Sequence, residues 1–366
     1  MSEAARNMAE QTPLEAIIRA EIAARGPISV AEFMGLALGH PEHGYYTIRD
    51  PLGRAGDFTT APEISQMFGE IVGLWLADRL ASLPAETRPA LAELGPGRGT
   101  LMADALRAAP ALRDLPLTLV ETSPVLRREQ AARLPSCRHV TALSEVPEGP
   151  LLLVANEFLD ALPVHQYLSD GEGWREVRVG LTPEGALSFG LSDRLPGRRP
   201  APAGAWAEES PAAEDIVSGT ARRVAAHGGA ALFIDYGYRA KDRPTGPTLQ
   251  AIRSHAPADP LEAPGTADLT WLPDFDRLAV VAAAAAAPVS VSLAEQGAFL
   301  AALGIGQRAA TLARAAPGAA DAIADALDRL CGPDAMGTRF KVLAITPEGS
   351  QPPGFPACAP LPGETQ

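Results

Sequence analysis

Cysteine is scarce: the chain holds three, Cys137, Cys331 and Cys358, far apart and with no C-x-x-C pair. An odd, scattered set of this kind argues against a disulfide framework and against a zinc site, and makes a reducing compartment the expected setting. Long apolar runs are also lacking. The longest, around Leu278 to Val291, is mostly alanine and contains Pro288, which is too short and too weak for a membrane span. The first residues carry Glu3 and Glu10 and no apolar core segment, so neither a secretory signal nor an Arg-rich transit peptide is expected, and a bacterial-type cytoplasmic location follows. Positive charge is short as well, with 31 Lys and Arg against 44 Asp and Glu and a net charge of −13. Such a surface repels phosphate backbones, which argues against a nucleic-acid partner. It favours basic partners such as an Arg- or Lys-bearing peptide, although solubility alone accounts for an acidic surface about as well.

At 366 residues, 46% hydrophobic and 20% charged, the chain has an ordinary globular composition and the length for one large domain with insertions or two domains sharing an interface. No internal repeat is visible. From Pro13 to about Ala24, Leu14, Ile17, Ile18 and Ile22 recur at helical spacing until Gly26-Pro27 stops the run. Ser29 to Leu38 predicts a second helix, with Ser29 as cap and Glu32 three residues on, as a capping box requires. Gly39 to Tyr46 is turn-like, and a glycine-rich loop from Gly53 to Pro62 leads into a long amphipathic helix from Glu63 through Leu80.

From Pro89 the pattern changes to short apolar runs alternating with helices: Leu91 to Leu94, Leu117 to Val120, Leu151 to Ala155 and Ala230 to Ile234. That alternation predicts a parallel sheet covered by helices on both faces. Trp174 to Leu191, alternating on each side of Thr182-Pro183-Glu184-Gly185, reads as an inserted β-hairpin. Leu195 to Pro211 reads as an exposed loop, and the Pro/Gly-rich stretch from Pro347 to Gln366 as a disordered tail. The expected organisation is a helical region at 1–88, an α/β core at 89–346 with insertions at 170–212 and 240–300, and the tail at 347–366.

The sharpest local signal is Leu91-Ala92-Glu93-Leu94-Gly95-Pro96-Gly97-Arg98-Gly99-Thr100, a strand end, a G-x-G-x-G turn and a helix start. Backbone without Cβ lets a cofactor approach such a turn closely, and the helix amino terminus adds N–H groups that suit a carboxylate or phosphate. Gly95, Gly97, Gly99 and Thr100 are therefore candidate cofactor-binding residues. Dinucleotide enzymes use the looser G-x-G-x-x-G turn. Here Glu93 stands two residues before the first glycine, where a carboxylate would repel a pyrophosphate but can hold the cationic amino group of S-adenosylmethionine. Glu121 ends the next strand, where ribose hydroxyls are expected; as an exposed strand terminus it would have no such role.

A third cluster follows the run at Leu151: Asn156-Glu157-Phe158-Leu159-Asp160-Ala161-Leu162-Pro163-Val164-His165, polar groups bunched where an α/β crevice opens. Asn156 is a candidate for bonding the cofactor or a substrate nitrogen, and Glu157 with Asp160 for holding a cation. The plainer alternatives make Asp160 a helix cap and His165 a satisfied, half-buried imidazole.

Together, GDFTTAPEISQMFGE at Gly56 to Glu70, ELGPGRGTL at Glu93 to Leu101 and ANEFLDALPVHQ at Ala155 to Gln166 closely resemble the MidA-like methyltransferases. PGTADLT at Pro264 to Thr270, Gln296 with Phe299-Leu300, and Met336-Gly337 with Phe340 to Leu343 add to the match, which spans roughly Leu14 to Ile345. At Asp268 to Phe275 the sequence departs from the pattern, in which a histidine and a valine precede the Asp-Phe pair. The resemblance implies a Rossmann-like class I methyltransferase sheet with an N-terminal helical addition, and S-adenosylmethionine as cofactor. For the eukaryotic members it implies methylation of an arginine on a respiratory complex I subunit.

Methyl transfer from a sulfonium needs little acid–base chemistry, so positioning and electrostatics carry the catalysis. A guanidinium nucleophile, with a pKa above ~12, needs carboxylates to clamp it and to accept its proton. Glu157 and Asp160 are the candidates, with Asp57 as a third; no metal is called for. Two other readings stand beside this one: a non-catalytic assembly or chaperone protein on a methyltransferase fold, and an NAD-dependent oxidoreductase, which Glu93 and the tight glycine spacing oppose.

Overall fold

A computed structural model describes residues 11–48, 59–285 and 288–356. These gather into two compact units, one drawn from the ranges Met1–Phe58, Ala161–Ala212 and Pro244–Leu272, the other from Thr59–Asp160, Ala213–Arg243 and Pro273–Gln366. Among the described residues no helix is long and apolar enough to cross a membrane.

The second unit holds a seven-stranded sheet: β1 (Ala90–Leu94), β2 (Leu117–Val120), β3 (Arg138–Val140), β4 (Leu151–Asn156), β5 (Gly229–Tyr236), β6 (Val289–Glu295) and β7 (Phe340–Pro347). Their spatial order is β3-β2-β1-β4-β5-β7-β6. The first five pair in parallel, whereas β7 runs antiparallel to both β5 and β6. Parallel strands need both faces covered, and the runs LLLVAN and GAALFIDY carry apolar residues on both; Leu151 to Leu153 and Ala230 to Phe233 have no exposed surface. Truncating Leu152 or Leu153 to alanine should therefore cost about 2–5 kcal/mol. The order reverses between β1 and β4, so the connections leave these neighbours in opposite directions and a crevice opens at their carboxyl ends.

Helices α1 (Gln66–Ala81), α2 (Thr100–Ala108), α3 (Pro124–Arg133), α4 (Pro211–His227) and α5 (Phe275–Ala285) flank the strands in sequence. The long amphipathic helix expected from Glu63 is broken: Ala61–Ile64 makes one short turn, and Ser65, extended at φ −161°, caps α1 by accepting the N–H of Met67. Nor is α1 amphipathic, because Met67, Phe68, Ile71, Val72, Trp75 and Leu76 are all buried on a helix enclosed on most sides. The three strands not anticipated, β3, β6 and β7, are short or interrupted by polar residues. Near the carboxyl end of the described chain, Phe355 packs its ring 5.2 Å from that of Phe299, and Gly349 donates to Ser290 Oγ. Residues 348–356 thus make defined contacts within the stretch read as tail, and residues 357–366 lie outside the described chain.

The first unit opens with helices Pro13–Arg25 and Val30–Gly39. Gly26, at φ +85°, ends the first helix, and the Ser29/Glu32 capping box starts the second, with Ser29 Oγ accepting from Glu32 at 3.1 Å and Glu32 Oε2 accepting from Ser29 N at 2.8 Å. The expected hairpin pairs Trp174–Leu181 with Leu187–Leu195. The stretch read as a loop from Leu195 contains a further strand, Trp206–Glu209, which pairs with His165–Ser169. A small sheet of Gln250–Arg253, Ala256–Ala258 and Asp268–Thr270 completes the unit, held by Tyr46 Oη donating to Asp268 at 2.8 Å and Trp271 Nε1 donating to the carbonyl of Leu162 at 2.9 Å.

Candidate active site

All of the site geometry described here lies within the second unit, at the carboxyl ends of β1, β2, β4 and β5. After β1 the chain turns through Gly95, Gly97 and Gly99 at φ +59°, +53° and +75°, the left-handed region that glycine occupies without strain. A Cβ on Gly95 would sit 2.9 Å from Phe158 Cδ2. The N–H of Gly99 closes the turn on the carbonyl of Pro96 at 2.7 Å, and α2 starts at the next residue with its amide groups unpaired within the helix. The hydroxyl of Thr100 is already engaged, donating to Glu63 Oε1 at 2.5 Å and accepting from Arg133 Nη1 at 2.5 Å. With the hydroxyl proton committed to Glu63, the donor that Thr100 can offer a ligand is its backbone N–H.

Glu93, on β1, is 2% exposed, and its Oε2 has no hydrogen-bond partner among the described residues. Burial, and then the nearby charge of Glu121, raise its pKa well above the ordinary carboxylate value. Glu121 is buried too; Oε1 accepts the N–H of Ser123 at 2.7 Å and Oε2 accepts from Gln130 Nε2 at 3.3 Å. Its pKa is raised chiefly by burial and partly offset by those bonds. The same Gln130 nitrogen donates to the carbonyl of Gly97 at 2.6 Å.

Asn156 ends β4 with its Nδ2 3.0 Å from Glu157 Oε1 and its buried Oδ1 without a partner among the described residues. Glu157 has φ +50°, a conformation that costs a non-glycine residue energy and persists only where the surroundings hold it. Its N–H donates to the carbonyl of Ile234 at 2.9 Å, and its Oε1 accepts from Ala61 N at 3.0 Å as well as from Asn156. Desolvation nevertheless raises its pKa. Asp160 is buried, but no helix begins there, so it is not a helix cap; its N–H donates to Asp235.

Asp235, near the end of β5, is fully buried and was not singled out from the sequence. Its Oδ2 accepts from the backbones of Phe158, Leu159 and Asp160 at 3.0, 2.7 and 3.2 Å. Burial first, and Glu157 second, push its pKa up to about 8. Tyr236 beside it is pushed up to about 12 by burial and by the same carboxylates. As an acid near the end of an apolar run, Asp235 obeys the rule that picked out Glu93 and Glu121. Gln130, by contrast, has no local signature at mid-helix. His165 belongs to the first unit, where Nδ1 lies 2.7 Å from Glu176 Oε1, which is the satisfied imidazole of the plainer reading. Asp57 lies outside the described residues.

The sheet order, the glycine turn after β1 and the acid after β2 define a class I methyltransferase. The chain belongs to the S-adenosyl-L-methionine-dependent methyltransferase family whose profile matches residues 71–292. It is 37% identical to the mouse protein named protein arginine methyltransferase NDUFAF7, mitochondrial, over 92% of this chain and 85% of that one. It is 36% identical to the protein of that name from Homo sapiens, over 92% and 84%. A solved COG1565 superfamily member from Burkholderia thailandensis, bound to S-adenosyl-homocysteine, matches with a TM-score of 0.82 and 30% identity over 93% of both chains. The fold and family expected from the motifs hold, and the cofactor is S-adenosylmethionine.

The residues present fit that cofactor. Glu93 Oε2 and Asn156 Oδ1 are buried acceptors lacking donors among the described residues, a costly state that a ligand bearing an ammonium and N–H groups relieves. When bound, S-adenosylmethionine supplies a methyl group on a cationic sulfur that leaves as a neutral thioether.

Proposed function

We propose that this chain methylates an arginine side chain of a protein, on a respiratory complex I subunit or a similar protein, in the bacterial cytoplasm. The observation that carries the reading is the acidic set at the ends of β4 and β5: Glu157 and Asp160 on the turn after β4, and Asp235 on β5 accepting that turn's N–H groups, with desolvation raising the pKa of Glu157 and of Asp235. Buried carboxylates crowded together are stabilised by a cation, and a guanidinium offers several N–H donors in a fixed plane. The names of the mouse and human relatives support the same substrate class.

In this reading the backbone of the Gly95–Gly99 turn and the start of α2 at Thr100 hold the methionine end of the cofactor. Glu93 takes its ammonium, Glu121 its ribose, and Asn156 the neighbouring donor. Glu157 accepts Ala61 N and Asn156 Nδ2 on Oε1, leaving Oε2 to face the substrate guanidinium, with Asp160 and Asp57 as further candidate carboxylates. The guanidinium nitrogen forms the new bond to carbon as the carbon–sulfur bond breaks. A proton then leaves the nitrogen, and a carboxylate whose pKa is raised accepts it better than an ordinary one.

The test uses purified protein and isotope-labelled S-adenosylmethionine in a lysate from a strain lacking this protein, with labelled peptides identified by mass spectrometry. Label on arginine of a discrete protein is the expected result. Label confined to lysine or to small molecules overturns the reading.

A further inference from the structure

Gln130 sits in the middle of α3 with no exposed surface, a costly place for an amide unless every polar atom is used. Its Nε2 reaches two elements of the cofactor site at once, the carbonyl of Gly97 in the glycine turn at 2.6 Å and Glu121 Oε2 at the end of β2 at 3.3 Å. A carbonyl only accepts, so the amide must present its NH2 to Gly97. The amide oxygen then faces the other way, 2.9 Å from His139 Nε2 on the edge strand β3. An oxygen needs a donor, so His139 carries its proton on Nε2. The Gly97 and Glu121 acceptors thus set which way the Gln130 amide points, and the imidazole, donating to the amide oxygen, holds it there.

We infer that Gln130, with its amide oxygen held by His139, is a positioning residue of the cofactor site, tying the glycine turn to the carboxylate that receives the ribose. The inference rests on the assignment of Glu121 to the ribose. With Ser123 N on Oε1 and Gln130 on Oε2, both oxygens of Glu121 are fixed, and the carboxylate plane is set before any ligand arrives. Preorganisation of this kind raises affinity by removing a side-chain ordering cost from the binding step. The long 3.3 Å bond also leaves Oε2 with capacity to accept a ribose hydroxyl.

The experiment is calorimetry on the full chain with S-adenosylhomocysteine and with its 2′-deoxy- and 3′-deoxyribose analogues, for wild type and Gln130→Leu. Leucine fills a similar volume but makes none of the three hydrogen bonds. In wild type, loss of one hydroxyl should weaken binding on the order of tenfold, and in Gln130→Leu that gap should shrink to within about threefold while affinity for the parent ligand falls about tenfold. If Gln130 only fills space, the melting temperature falls while parent affinity and the hydroxyl gap stay as in wild type, and the inference is overturned. Absence of any hydroxyl gap in wild type overturns the assignment of Glu121 itself, and the inference with it. His139→Phe, at a half-buried position on the edge strand, carries the same test should Gln130→Leu fail to fold, because it leaves the buried amide oxygen without its donor and loosens the amide's hold on Gly97 and Glu121.

Discussion

Asp235 Oδ2 accepts the N–H of Leu159 at 2.7 Å, and the same oxygen takes the N–H groups of Phe158 and Asp160. One carboxylate oxygen on β5 thus fixes the turn that carries Glu157 and Asp160. The pKa of Asp235 is raised to about 8, by burial first and by Glu157 second. A raised folded-state value means that the folded chain holds a proton the unfolded chain has released. The associated stability is fully present below the ordinary carboxylate value of about 3.9 and is lost as pH rises toward about 8. Asp235→Asn has no such proton. Denaturant unfolding between about pH 4 and about pH 8 should therefore show wild type losing stability relative to the variant, and parallel profiles would refute the raised value.

At the glycine turn, Gly97→Val is expected to fold but to bind no cofactor. Its φ of +53° is strained for any β-branched side chain, which would also occupy the space where ligand meets backbone. S-adenosylhomocysteine should raise the melting temperature of wild type by mass action and leave that of the variant unmoved. A normal ligand shift in a folded Gly97→Val protein would place the cofactor elsewhere.

The parts legible in the sequence were those with a local signature. Glu93-Leu94-Gly95 joins a strand end to a left-handed turn within three residues, and β4 and β5 show as apolar runs because both faces of a parallel strand are buried. The Ser29/Glu32 box and the Gly26 stop are equally local. What escaped depends on distant contacts. β6 and β7 are recognisable as strands only once they pair with each other and with β5. Ser65 breaks a helix that apolar periodicity alone would carry through. Gln130 matters because α3 places it between Gly97 and Glu121, 33 and 9 residues away. The two-unit partition likewise groups chain segments that are remote in sequence.

Glu121→Ala should separate a ribose contact from a strand terminus. Loss of a charge-assisted acceptor is expected to weaken S-adenosylhomocysteine by roughly 1.5–3 kcal/mol, about tenfold or more. The variant also strands the Ser123 N–H, which now donates to Glu121 at 2.7 Å, so a lower melting temperature is expected as well. The two effects are read separately, by calorimetry and by thermal unfolding. Unchanged affinity in a destabilised protein would leave Glu121 a purely structural residue.

Glu157→Gln is the variant that tests the substrate clamp directly. The amide oxygen can still accept from Ala61 N and Asn156 Nδ2, the two bonds that now converge on Oε1 at 3.0 Å each, so the turn and the cofactor site should persist. What disappears is the negative charge offered to the guanidinium and the group that takes its proton. If Glu157 only supports the turn, labelling of the protein target in the deficient lysate should stay within a few fold of wild type. As a clamp, it should cost about 3 kcal/mol or more of transition-state stabilisation, on the order of a hundredfold in initial labelling rate. Affinity for S-adenosylhomocysteine, measured on the same preparation, should stay within about twofold, because the charge removed neither orders the glycine turn nor reaches the ribose. Near-normal labelling with normal cofactor binding would remove Glu157 from the catalytic role and leave Asp160 as the carboxylate to examine next.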